Sequence, residues 1–124
     1  MKPSPNPRWV AVVDDDDSTR TAIHGVLRSF GIASEQFASA EALLGDDGLR
    51  GCACVISDVE MPGMNGLQLQ EQLAARSDVP VIFVSAYGNE RTRAAAMNSG
   101  AFAFFSKPFV DEDLIGAVEA ALER

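Results

Sequence analysis

Apolar residues recur along the chain in short runs, separated by amphipathic stretches. The first run, Trp9-Val10-Ala11-Val12-Val13, breaks off at Asp14. From about Ser18 the apolar positions Ile23, Val26, Leu27 and Phe30 follow helical spacing, and Gly31 stands where a helix stop belongs. Ile32 to Ala38 reads as a weaker second strand. Ser39 is placed to cap a helix carrying Leu43 and Leu44, which runs out at Gly45-Asp46-Asp47-Gly48. The third strand, Cys54-Val55-Ile56-Ser57, ends at Asp58. The turn-rich segment Met61-Pro62-Gly63-Met64-Asn65-Gly66 then leads into a helix over Leu67 to Arg76. Pro80 opens the fourth strand, Val81-Ile82-Phe83-Val84, which ends at Ser85. Asn89 caps a helix through Met97, closed by Gly100. The fifth strand, Phe102-Ala103-Phe104-Phe105, ends at Ser106-Lys107. Asp111 is read as the cap of a last helix with Leu114, Val118 and Leu122 on one stripe.

Five strand–helix units in a row predict the α/β class. Strands apolar throughout are buried on both faces, as parallel strands covered by helices on each side must be. Right-handed crossovers then give an open, doubly wound, five-stranded parallel sheet with five helices. This domain is expected over residues 9–124, after a short disordered leader at residues 1–8.

Composition narrows the field. A chain of 124 residues, 47% of them hydrophobic, has enough for one core. Its formal charge of -8, from 18 acids against 10 bases, comes with no basic cluster. Direct nucleic-acid binding and docking on an anionic membrane are therefore disfavoured. Met1 to Pro7 holds three prolines and no apolar core, so it is not a secretory signal. No apolar run approaches the ~18 residues of a membrane span, and the expectation is a cytoplasmic protein. Cys52 and Cys54 are read as small buried residues that alternation places on one face. His24 lies off the first helix's apolar stripe and is read as a surface residue.

Four of the five apolar runs end on a residue able to do chemistry: Asp14-Asp15, Asp58, Ser85 and Lys107. In open α/β sheets ligands bind beyond the carboxyl ends of the strands, at the switch point of strand order. Residues far apart in sequence would thus meet on one rim. Three carboxylates there repel one another and raise their own pKa values, a conflict that a divalent cation removes. Hard oxygen donors suit Mg²⁺. A metal, a lysine, a hydroxyl and a carboxylate nucleophile are the parts of phosphoryl transfer to Asp.

With these residues in view, the chain resembles a response-regulator receiver domain of two-component signalling. The landmarks are Val12-Val13-Asp14-Asp15, Ser57-Asp58-Val59-Glu60-Met61-Pro62-Gly63-Met64-Asn65-Gly66, Val84-Ser85-Ala86 and Lys107-Pro108-Phe109. The resemblance implies a flavodoxin-like strand order 2-1-3-4-5, with Asp58 as phosphoacceptor. It implies Asp15 and Asp58 as direct Mg²⁺ ligands, Asp14 as a ligand directly or through water, and the Glu60 backbone carbonyl as a further ligand. Mn²⁺ or Ca²⁺ could substitute. Ser85 and Lys107 would contact phosphoryl oxygens, and the Lys107-Pro108 bond would be cis. Phe104 stands where such domains carry an aromatic switch residue beside Ser85, although a plain core ring reads equally well. Glu60 and Tyr87 would flank the site, or be exposed bystanders. Ser85 replaces the commoner Thr, which removes a methyl that helps fix the hydroxyl's rotamer. The implied partners are a sensor histidine kinase or phosphotransfer protein, and a homodimer through the last two strand–helix units. Ser39-Ala40-Glu41-Ala42 and Lys107-Pro108-Phe109 are similar to FixJ-type receivers, whose output domains bind DNA.

Three competing functions carry sequence tests. An aspartate-nucleophile phosphatase wants Asp-x-Asp after its first strand, whereas Asp58-Val59-Glu60 follows the third. A flavin module needs a hydroxyl- and glycine-rich first loop, whereas Asp14-Asp15-Asp16-Asp17 would repel a flavin phosphate. A phosphorylation-independent docking scaffold would not need a full set of site residues.

Overall fold

The computed structural model describes residues 8–45, 49, 51–86 and 88–123. Residues 1–7 of the leader expected at 1–8, the turn residues Asp46-Asp47-Gly48 and the flanking residue Tyr87 lie outside the described residues. Strands and helices alternate: β1 (Trp9–Val13), α1 (Asp17–Ser29), β2 (Ser34–Phe37), α2 (Ala40–Gly45), β3 (Cys52–Ser57), α3 (Gly66–Ala74), β4 (Val81–Ser85), α4 (Glu90–Asn98), β5 (Ala103–Ser106) and α5 (Asp111–Leu122). The strands form one parallel sheet in the order β2-β1-β3-β4-β5. Strand order reverses between β1 and β3, which makes their tips the switch point of the sheet.

Alternation along the central strands divides the core in two. Ala11, Val13, Val55 and Phe83 face one way, onto Leu43 of α2, Leu69 and Leu73 of α3 and Ala96 of α4. Val10, Val12, Ile56, Ile82 and Val84 face the other, onto Ile23 and Leu27 of α1 and Leu114, Ile115 and Val118 of α5. Both faces are therefore dry, which is why these strands carry no polar alternation.

The boundaries correct several expectations. Helix α1 starts at Asp17, one residue before the expected Ser18, and is capped by Asp16: the Asp16 carboxylate accepts from the Thr19 amide at 3.1 Å and its hydroxyl at 2.6 Å. Helix α5 has Val110 at its cap position with no side-chain cap bond. Asp111, the expected cap, is its first helical residue, and Asp111, Glu112 and Asp113 load the first turn with charge that the helix dipole favours. Asn89 and Ser39 do cap, bonding the amides of Thr92 and Ala42 at 2.8 and 3.0 Å. Gly31 and Gly100 take φ of 76° and 100° just past their helices, a conformation that favours glycine.

Cys52 and Cys54 do not share a face. Trp9 pairs with Cys52 and Val10 with Cys54, so Ala53 is an extra residue that interrupts alternation. Cys54 is buried on the α1/α5 side, while Cys52 packs against the opposite cluster. Phe102 likewise does not share a face with Phe104. It precedes β5, escapes the strand's alternation, and packs with Phe105 on the α1/α5 side. His24 is half-buried rather than a plain surface residue, with Nδ1 2.6 Å from Ser34 Oγ of β2.

Candidate functional site

The sheet ladder itself presents the acids. The Asp14 amide bonds Phe37 O at 3.1 Å and the Asp58 amide bonds Val13 O at 3.1 Å, so pairing runs one residue past the tips of β1 and β3. One carboxylate oxygen from each of Asp14, Asp15 and Asp58 then lies within 4.8 Å of the others. Asp14 is buried at 2% exposure, Asp58 is half-buried and Asp15 is exposed, so the cluster opens to solvent on one side. Oxygen donors at this spacing fit a hard divalent cation that keeps part of its water shell.

Lys107 follows β5, and its Nζ lies 3.8 Å from Asp14 Oδ2. Its amide bonds Ser85 O at 2.9 Å, tying the tips of β4 and β5 together. Ser85 is fully buried at the end of β4. The Lys107-Pro108 peptide is cis. Four strand tips thus bring Asp14, Asp15, Asp58, Ser85 and Lys107 to one rim.

Charges at this rim are in conflict. Burial raises the Asp14 carboxyl above its ordinary value of 3.8, against the lowering pull of the Asp16 amide and of Lys107. Burial also raises Asp58, and the negative charge of Asp14 raises it further, while the Glu60 amide and Lys107 lower it. One lysine does not balance three acids at this separation.

The flanking positions divide. Glu60 is exposed beside Asp58, and its amide bonds Asp58 Oδ1 at 3.2 Å. Phe104 is turned inward at 5% exposure, in the α2–α4 cluster. Arg93 lies over its ring at 6.0 Å and donates to its carbonyl at 3.3 Å. The close approach of α3 to Asp58 needs a residue without a side chain. A Cβ on Gly66 would run into the Asp58 carbonyl and sit 2.9 Å from Phe83.

Two residues at this rim have no role in the sequence reading. Arg20 of α1 donates to Asp14 O, Gln36 and Asp17. Glu41 of α2 accepts from the Met64 amide at 3.0 Å and so pins the loop after Asp58. Arg20 lay within one turn of the acidic run, which is a usable signal. Glu41 and Met64 are joined only by the tertiary fold.

Comparison with known proteins gives one answer. Residues 10–119 match the family model described as response regulator receiver domain. The response regulator protein TmoT of Ectopseudomonas mendocina is 42% identical over 115 residues, covering 92% of this chain and 52% of that protein. The transcriptional regulatory protein FixJ of Azorhizobium caulinodans is 42% identical over 119 residues, covering 93% of this chain and 55% of that protein. The crystal structure of FixJ-N superposes with a TM-score of 0.86 at 32% identity, covering 94% of each chain. The chain spans about half the length of these two regulators. Among the described residues no helix is long and apolar enough to cross a membrane. A five-stranded parallel sheet in the order 2-1-3-4-5, an acid cluster at its switch point and matched relatives over nearly its whole length make this chain a member of the response regulator receiver domain family.

Proposed function

We propose that Asp58 accepts a phosphoryl group from a phosphohistidine donor on a sensor histidine kinase or phosphotransfer protein. An Asp58 carboxylate oxygen attacks phosphorus, the P–N bond to histidine breaks, and an acyl phosphate forms on Asp58. In this reading Asp14, Asp15, Asp58 and the Glu60 carbonyl hold Mg²⁺, with Mn²⁺ or Ca²⁺ able to replace it. The bound cation would supply charge neutralisation for the incoming phosphoryl oxygens. Lys107 pairs with one phosphoryl oxygen and gives up part of its hold on Asp14. Ser85 donates its hydroxyl to another. Glu60, exposed beside the acceptor, stands where it can affect attack by water on the acyl phosphate.

The observation that carries this reading is the meeting of Asp14, Asp15 and Asp58 within 4.8 Å at the sheet's switch point, with Lys107 beside them. Small donors such as acetyl phosphate would phosphorylate Asp58 without a kinase, and hydrolysis would reset it. Movement of Ser85 and Phe104 toward the phosphoryl group would bias the β4–α4 and β5–α5 units toward a second arrangement, read by a partner or a second copy. The relatives named as transcriptional regulatory proteins support a role upstream of transcription, and a net charge of -8 argues against nucleic-acid contact by this domain.

The deciding experiment is intact mass after incubation with acetyl phosphate and Mg²⁺. Wild type should gain one phosphoryl group, and Asp58→Ala should gain none. Equal labelling of both, or labelling unaffected by chelation, would refute the assignment.

A further inference from the structure

The cation ligands proposed above sit on a short loop, and a loop holds its ligands only as well as it is itself held. Arg20 bonds this loop from behind. Its Nη1 donates to the Asp14 carbonyl at 2.8 Å, its Nε to Gln36 Oε1 of β2 at 3.2 Å, and its Nη2 to the Asp17 carboxylate. The side chain is 13% exposed, so three elements (the β1 tip, β2 and the first turn of α1) meet on one planar fork. We infer that Arg20 is a positioning residue for the divalent-cation site, acting through the Asp14 carbonyl rather than through its charge. This inference rests on the proposed cation site.

Geometry and Coulomb attraction predict opposite signs here, which makes the inference testable. As a positive charge near three carboxylates, Arg20 repels a cation, and its removal would tighten binding. As a clamp on the carbonyl between the Asp14 and Asp15 side chains, its removal frees the loop and weakens binding. Outer-shell partners of metal ligands typically contribute 10–100-fold in affinity. The fork matters as well as the charge, because three separate nitrogens of one rigid plane each reach a different acceptor here, whereas an ammonium donates from a single nitrogen.

The experiment measures free Mn²⁺ by electron paramagnetic resonance during titration of the purified chain. A Mg²⁺ titration of the acetyl phosphate labelling rate runs in parallel. Arg20→Met should raise the Mn²⁺ dissociation constant about 10-fold or more and raise the half-saturating Mg²⁺ for labelling by the same factor. The rate at saturating Mg²⁺ should stay within about twofold. Arg20→Lys should fail to rescue, which sets the fork apart from the charge. Gln36→Ala is neutral, exposed and safe for folding, and should weaken binding in the same direction by a smaller factor. An unchanged or tighter Mn²⁺ constant in Arg20→Met and Gln36→Ala overturns the inference. So does a loss of rate at saturating Mg²⁺ with unchanged half-saturation. Absence of Mn²⁺ binding by wild type would instead overturn the cation site itself, a result distinct from both.

Discussion

Replacing Asp14 by asparagine should make the metal-free protein more stable while weakening its chemistry. Asp14 is 2% exposed and faces two carboxylates within 4.8 Å and one ammonium at 3.8 Å. At an effective dielectric of about 20, each repulsion is on the order of 3 kcal/mol and the attraction about 4 kcal/mol. Repulsion from the pair therefore exceeds what Lys107 returns, before any cost of burying the charge. Asp15 is exposed and Asp58 and Lys107 are partly so, and water screens a large part of the difference. Asparagine keeps an oxygen to accept the Asp16 amide, which Asp14 Oδ1 now bonds at 2.9 Å. The net expectation is a gain of about 1–2 kcal/mol, or about 3–8 °C in Tm for a domain of this size.

The assay is thermal unfolding of wild type and Asp14→Asn in chelator at pH 7, and again in millimolar Mg²⁺. The variant should unfold later in chelator, and Mg²⁺ should close the gap by stabilising the wild type. The pH dependence has a fixed sign. The Asp14 carboxyl is raised above 3.8 in the fold, so the folded chain binds this proton more tightly than the unfolded chain. Stability is therefore lost as pH rises through the folded value. The advantage of Asp14→Asn should be full at pH 7 and shrink as pH falls toward 3.8. An Asp14→Asn protein that is equal to or less stable than wild type in chelator at pH 7 would refute the claimed conflict of charges.

Further outcomes follow from other parts of the molecule. Gly66→Ala should lower both the urea midpoint and the labelling rate although alanine is the better helix former, because its Cβ collides with the Asp58 carbonyl; overpacking of this kind costs about 1–3 kcal/mol. A rise in midpoint would show that the loop gives way freely. Arg93→Ala should cost about 1 kcal/mol in urea unfolding, since it removes a cation over the Phe104 ring and a donor to its carbonyl; an unchanged midpoint would count against that contact. Burial pushes the Cys54 thiol up to about 12 and raises Cys52 as well, so a disulfide reagent at pH 8 should label the native chain slowly and both thiols at once in urea. A fast native burst of one equivalent would contradict this.

The fold was legible because its strands are buried on both faces. Val10 to Val13 and Val81 to Val84 are continuous apolar runs, and continuous runs bounded by polar residues mark central parallel strands whatever the loops do. The site was legible for a related reason. Each candidate residue stands at the end of an apolar run, so the sheet's geometry converts a position in sequence into a position on the rim. What escaped depended on single residues of register or on long-range partners. One inserted residue, Ala53, sends Cys52 and Cys54 to opposite faces. A strand starting one residue late takes Phe102 out of alternation. The α1 cap was ambiguous among consecutive residues that are all good caps, and only the Thr19 bonds select Asp16. Contacts such as Glu41 to Met64, 23 residues apart, leave no periodic trace at all.

The same ladder that presents the acids also explains why they stay in conflict. Asp14 and Asp58 are fixed by backbone bonds to Phe37 and Val13, and these do not depend on the charge of either side chain. The backbones that carry the carboxylates cannot separate without breaking this pairing, which the two apolar layers hold, so only side-chain rotation is left to relieve the repulsion. The core thus keeps the strand tips, and the acids on them, close together. Carboxylates held apart by a flexible loop would bind a cation weakly, because ordering the loop would oppose binding. Carboxylates already forced together meet the cation with that cost settled during folding, and neutralisation then adds to affinity. On this view the stabilising Asp14→Asn substitution and the loosening Arg20→Met substitution attack opposite halves of one arrangement. The first removes the conflict and the second removes its rigid support. Both should weaken cation binding, but only the first should raise the stability of the metal-free fold.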